Sequence, residues 1–123
     1  MSKFLTELEV KFVGDHEIEL LSDLLYCEKE NRNLKVPKGF RCDGASIPRF
    51  AWSIVGYPME GDYVAAAVIH DHLYRNAIGT KVHADNVFLQ AMKDLKVNPV
   101  KRRVMYWAVK YFGKGAWKDE EKN

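Results

Sequence analysis

From Leu5 to Val13, "LTELEVKFV", apolar and polar residues alternate. A period of two marks a strand with one buried face. "GDH" at Gly14 to His16 is a turn signal. Alternation resumes in "EIELLSDLLYC", Glu17 to Cys27, which predicts a second strand, bulged near Ser22 and Asp23. After the polar loop "EKENRN" comes a third extended segment, "LKVPKGFRC". Pro37 has no ladder donor to offer and Gly39 permits an unusual backbone, so this segment is expected at a sheet edge or turn.

Beyond residue 43 the period becomes helical. Ser46 is a candidate helix cap with Pro48 in the first turn, and this short helix should run to Val55 and end at Gly56. "YPMEGD" reads as a loop whose Asp62 caps a second helix to about Ala77. Thr80 caps a third, Lys81 to about Lys96. Asn98 caps a fourth, with Pro99 at its first position, running to about Phe112 and stopped by Gly113 and Gly115. Strands first and helices after them predict an α+β fold, a small N-terminal antiparallel β-sheet packed against a C-terminal three- to four-helix unit. One domain is expected over residues 1–123, with the sheet in residues 1–43, the helices in residues 44–117 and a disordered tail in residues 118–123.

The helices differ in what they bury. The second is apolar almost all round from Val64 to Ile69, as a central helix would be. In the fourth, Val100, Val104, Trp107 and Tyr111 form one stripe, the expected buried face. In the third, Asp85 interrupts the stripe of Val82, Leu89 and Met92, with Phe88 beside it.

The 123 residues suit one core, and 47% hydrophobic with 29% charged residues is an ordinary globular composition. No apolar run reaches the roughly 20 residues of a membrane helix. The opening "MSKFLTELEVKF" lacks a secretory h-region, so no signal peptide is expected. Cys27 and Cys42 form no CxxC pair and are expected as reduced thiols. A net charge of +2 does not by itself imply a nucleic-acid partner, but Lys93 to Lys118 carries eight cations against Asp94 alone.

The candidate chemistry lies in "VIHDHLYRNA", Val68 to Ala77. His70 and Asp71 sit on a segment that otherwise reads as buried, and buried charges need partners. The short break near Gly79 makes the second and third helices neighbours, which lets Asp85 hydrogen-bond the His70 ring and fix its tautomer. Asp71 points about 100° away around the helix. Tyr74 follows His70 by four residues and Asp71 by three, so it reaches either. In the loop "CDGAS", Asp43 is a second acid that with Asp71 could hold a divalent cation, calcium or zinc. His72 is expected at the rim and His83 on the surface, where it could still serve as a fourth ligand, and Trp52, Trp107 and Trp117 in core and lid positions.

"VPKGFRCDGASIPR", "AAAVIHDHLYR", "ADNVFLQAM" and "RVMYWAVKYFG" together resemble a family of small phage and prophage proteins known only as domain of unknown function 1353, over roughly Leu34 to Gly113. The resemblance implies a phage or prophage origin, hence a location in the host cytoplasm or the virion, and no established activity. "HDHLY" is also similar to the H-D-x-C-Y helix of secreted phospholipases A2. That resemblance implies a general base at His70, a cation ligand at Asp71, and support from Tyr74 and Asp85, although Leu73 replaces the half-cystine and no Gly-rich calcium loop precedes the helix.

Three functions follow as expectations. The first is a metal-assisted hydrolase of an ester, amide or phosphodiester, with His70, Asp85 and Tyr74 catalytic and Asp71 and Asp43 on the metal. The second is a non-enzymatic accessory protein that binds a host or virion protein, the polar cluster being structural. The third is nucleic-acid binding through the C-terminal basic helix.

Overall fold

A computed structural model describes residues 2–14, 17–44, 46–55, 63–113 and 117. The architecture is α+β, with two three-stranded antiparallel sheets followed by helices. One sheet orders β1 (Lys3–Phe4), β4 (Leu24–Lys29) and β5 (Arg32–Val36). The other orders β2 (Val10–Gly14), β3 (Glu17–Leu20) and β6 (Arg41–Cys42). The helices are α1 (Arg49–Val55), α2 (Val64–Arg75), α3 (Lys81–Asp94) and α4 (Pro99–Phe112).

The two long strands expected from alternation are both cut, and at the same place. Residues 5–9 and 21–23 form a corner where the chain passes between sheets. Side chains supplement the few backbone bonds left there, such as Leu21 N–H to the Glu9 carbonyl at 2.8 Å. Thr6 Oγ1 accepts from the Leu25 amide at 3.0 Å, Asp23 accepts from the Lys38 amide at 2.7 Å, and the Ser22 hydroxyl donates to Glu9 at 2.7 Å. Short polar side chains that bond backbone favour turns over strands. The bulge expected near Ser22 and Asp23 is therefore this corner. "EKENRN" reduces to a tight turn between β4 and β5, with Asn31 at φ 64°. Of the expected turn, Asp15 and His16 lie outside the described residues, as do Gly56 to Asp62, Gly115 and the tail 118–123.

Alternation still sets what each strand buries. Ile18 and Leu20 of β3, Leu24 and Tyr26 of β4, Val36 and Cys42 turn into one core that includes Ala66 to Ile69 of α2. Helix α2 is buried along most of its length, as its composition predicts. Thr80 caps α3 by accepting from the His83 amide, and Asn98 caps α4 by accepting from Val100 and Lys101, with Pro99 in the first turn. Ser46 does not cap α1, because its hydroxyl turns inward toward α2. Among the described residues no helix is long and apolar enough to cross a membrane.

The stripe assigned to α4 is a correction. Val100, Trp107 and Tyr111 are 72%, 64% and 58% exposed, and the buried face is Met105, Ala108 and Val109. Two apolar stripes share this helix, and periodicity cannot rank them. Small Ala108 belongs to the face that packs closely, and the bulky rings are left outside. Val82 of the α3 stripe is exposed too, whereas Asp85, Phe88 and Met92 are buried. After α4 the chain passes tightly over α2. A Cβ on Gly113 would lie 2.5 Å from the Val109 carbonyl oxygen and 2.9 Å from the Tyr74 hydroxyl.

Candidate active site

The turn after α2 folds α3 back so that Asp85 meets His70. The loop leaving β6 reaches the other side of α2. Four side chains in this junction are buried and polar: Ser46, His70, Asp71 and Asp85. They form one hydrogen-bonded chain.

Asp85 anchors one end. Its Oδ1 lies 2.9 Å from His70 Nε2 and accepts from the Tyr74 hydroxyl at 2.6 Å. Its Oδ2 accepts from Lys81 Nζ at 2.9 Å, and that ammonium also donates to the Val109 and Lys110 carbonyls at the end of α4. Burial alone would raise the Asp85 carboxyl, but the hydrogen bonds from His70, Tyr74 and Lys81 outweigh it and hold the group below its ordinary value. Burial, with the carboxylate beside it, pushes the Tyr74 phenol up, so Tyr74 stays a donor. An ionised Asp85 fixes the tautomer with the proton on His70 Nε2. The ring is clamped by Tyr74 and Phe88, whose centroids lie 4.1 and 4.6 Å away.

His70 Nδ1 is then the acceptor, and it faces Ser46 Oγ at 2.8 Å. The Ser46 hydroxyl also contacts Asp71 Oδ1, which in addition accepts from the Ser46 amide at 3.2 Å. Asp71 Oδ2 accepts from the Gly44 amide at 2.8 Å. Gly44 adopts φ 80°, a left-handed backbone that glycine adopts at little cost, and this turns its amide onto the carboxylate. Ser46 has one hydroxyl proton for two acceptors. Burial pushes the Asp71 carboxyl up against the opposing pull of its donors. The Ser46 hydroxyl donates to Asp71 Oδ1 while that carboxyl is ionised. Were the carboxyl to take up a proton, it would donate to Ser46 Oγ and the Ser46 proton would turn to His70 Nδ1.

The expected site residues separate into two sets. His70, Asp85 and Tyr74 are in direct contact. Asp71 is one step away, joined to His70 through Ser46. Asp43 stands nearer the surface, its side chain 49% exposed and the Arg75 guanidinium 4.0 Å off. His72 is half-buried with its ring edge-on to Phe40, and His83 pairs with Glu28 at 2.7 Å elsewhere on α3. Burial lowers the His72 pKa. Cys42 is buried, and its thiol is pushed up by burial.

The Asp71 oxygens face two amides and a hydroxyl, which a divalent ion would have to displace. Among the described residues no three His, Cys, Asp or Glu side chains are grouped to hold a metal. Ser46 is the participant that sequence reasoning missed. Its place before Ile47-Pro48 reads as a helix cap, and the signal that it is more is the paired acids one loop and one helix away.

The family model "Protein of unknown function (DUF1353)" matches residues 18–109, three quarters of the chain, and every side chain of the network falls within it. The chain belongs to this family. An uncharacterized protein, y4jT, of Sinorhizobium fredii (strain NBRC 101917 / NGR234) is 40% identical over 95 residues, covering 77% of this chain and 28% of the relative. A second from the same strain, y4iH, is 32% identical over 105 residues, 85% of this chain and 44% of the relative. The chain thus spans less than half the length of these family relatives. No solved structure matches.

Proposed function

We propose that this domain is a hydrolase that forms a covalent intermediate on Ser46. One observation carries the reading: Ser46 Oγ, His70 and Asp85 are hydrogen-bonded in series at 2.8 and 2.9 Å. Nucleophile, base and orienting acid in that order are recognised by geometry, whatever the fold. His70 Nε2 is committed to Asp85, so the group that Nδ1 can deprotonate is the Ser46 hydroxyl.

Ser46 Oγ attacks an ester carbonyl carbon or a phosphodiester phosphorus while its proton passes to His70 Nδ1. His70 returns that proton to the departing alkoxide, and the covalent intermediate remains on Ser46. His70 then takes a proton from water, the hydroxide displaces Ser46, and the proton goes back to Ser46 Oγ. Asp85 offsets the charge on the imidazolium at each stage, and Tyr74 and Lys81 hold Asp85. Asp71 positions Ser46 rather than binding a cation. Ser46 is only 6% exposed, so its turnover is expected to favour small, activated substrates.

The test is hydrolysis of p-nitrophenyl acetate and bis(p-nitrophenyl) phosphate by the parent, Ser46→Ala and His70→Gln. Turnover by the parent that falls by about a hundredfold or more in both variants supports the reading. Turnover that survives Ser46→Ala, or a parent inert to both esters, overturns it.

A further inference from the structure

Helix α4 turns its larger apolar stripe to solvent. An exposed aromatic patch of this kind marks an interaction site. Beside it, between α3 and α4, lies a groove of about 380 Å³ lined by Lys93, Arg102, Arg103, Tyr106 and Trp107 over Leu89. Among the described residues no carboxylate lines it. From Lys93 to Phe112 there are six cations, and the one acid, Asp94, is engaged elsewhere by the Tyr26 hydroxyl at 2.6 Å. Arg102 gives one nitrogen to the Val97 carbonyl at 2.9 Å, which fixes the guanidinium and leaves its remaining N–H groups for a ligand. The Trp107 indole, 64% exposed, packs edge-on with Tyr111 at 5.6 Å, so its orientation is held by a neighbouring ring.

We propose that this groove binds single-stranded nucleic acid, with phosphates on Lys93, Arg102 and Arg103 and a base stacked on Trp107. The two kinds of lining residue decide the ligand class. Guanidinium groups match phosphate oxygens in pairs. The flat ring asks for a ligand with a flat face, which a nucleotide carries beside every phosphate and a run of acidic side chains does not. The volume is within the range of ordinary ligand pockets and takes a nucleotide unit, not a duplex. This site is separate from the Ser46 network, and the proposal stands without the hydrolase reading.

The experiment is fluorescence anisotropy of a labelled oligothymidylate of about 12 nucleotides, a typical single-strand site length. Three phosphate contacts predict a salt slope near −2, or about twentyfold weaker binding between 50 and 200 mM salt. Trp107→Ala should weaken binding about tenfold, Trp107→Phe should retain most of it, and Arg103→Glu should weaken binding and flatten the slope. Both positions are exposed, and circular dichroism confirms that the variants fold. No binding at 50 mM salt overturns the proposal, as does binding indifferent to Trp107→Ala. An oligoglutamate of equal length that competes as well as the oligonucleotide also overturns it, in favour of an acidic protein partner.

Discussion

Asp85→Asn tests the network where it is most heavily bonded. The substitution keeps the shape and removes the charge. With the amide oxygen at the Oδ1 position, the bonds to His70 and Tyr74 survive and the amide nitrogen confronts Lys81 Nζ, which was 2.9 Å from the lost oxygen. The opposite orientation sets that nitrogen against two donors and is worse. Loss of a hydrogen bond to a charged group costs about 1.5–3 kcal/mol. Lys81 keeps the Val109 and Lys110 carbonyls and remains partly exposed, which places the cost near 2 kcal/mol. For a chain of this length that corresponds to a fall in Tm of roughly 6–10 °C. The assay is thermal unfolding by circular dichroism at neutral pH. The carboxyl of Asp85 is held below its ordinary value of 3.8, so its contribution is present above that pH and is lost as pH falls through the folded value. The gap between parent and variant should therefore close in acid. A variant melting within about 2 °C of the parent at neutral pH, or a gap that widens in acid, would refute the reasoning.

Four further outcomes follow from the same geometry. Asp71 has the opposite sign: above 3.8 the folded state keeps a proton that the unfolded chain has released, so stability falls as pH rises through the folded value. Asp71→Asn mimics the protonated acid and should abolish that part of the pH dependence, as urea unfolding across pH would register. Tyr74→Phe removes the 2.6 Å bond to the charged Asp85 and should cost about 1.5–3 kcal/mol, seen as a shifted urea midpoint with unchanged slope. Gly113→Ala drives a methyl against the Val109 carbonyl and the Tyr74 hydroxyl, and should lower Tm by more than Tyr74→Phe does. Dialysis against a chelator should leave Tm unchanged, and a rise of several degrees on adding calcium or zinc would restore the cation at Asp71.

What was legible in the sequence is what burial alone dictates. A carboxylate on an apolar helix stripe must find a partner, so Asp85 pointed to His70 and the turn near Gly79 made the meeting possible. The strand-then-helix order, the Thr80 and Asn98 caps and the buried length of α2 were readable for similarly local reasons. The cut strands were not, because Thr6, Ser22 and Asp23 look like ordinary outward polar positions until they bond across the corner. Ser46 was misread because a cap and an inward-turned hydroxyl share the same local sequence, and only the position of α2 separates them. The α4 stripe failed because a helix with two apolar faces carries no sign of which one its neighbours cover. The amides of Gly44 and Ser46 that bond the Asp71 carboxylate were not readable either, because a backbone donor leaves no mark in residue type.

The central claim is that His70 makes Ser46 a nucleophile, and covalent labelling reads it without knowledge of the substrate. The parent protein is treated with an alkyl fluorophosphonate, which reacts with activated serines, and the adduct is located by peptide mass spectrometry. The account predicts one adduct, on Ser46, absent in Ser46→Ala and formed at least about a hundredfold more slowly in His70→Gln. An unlabelled Ser46, or labelling of Ser46 at the parent rate in His70→Gln, would contradict it.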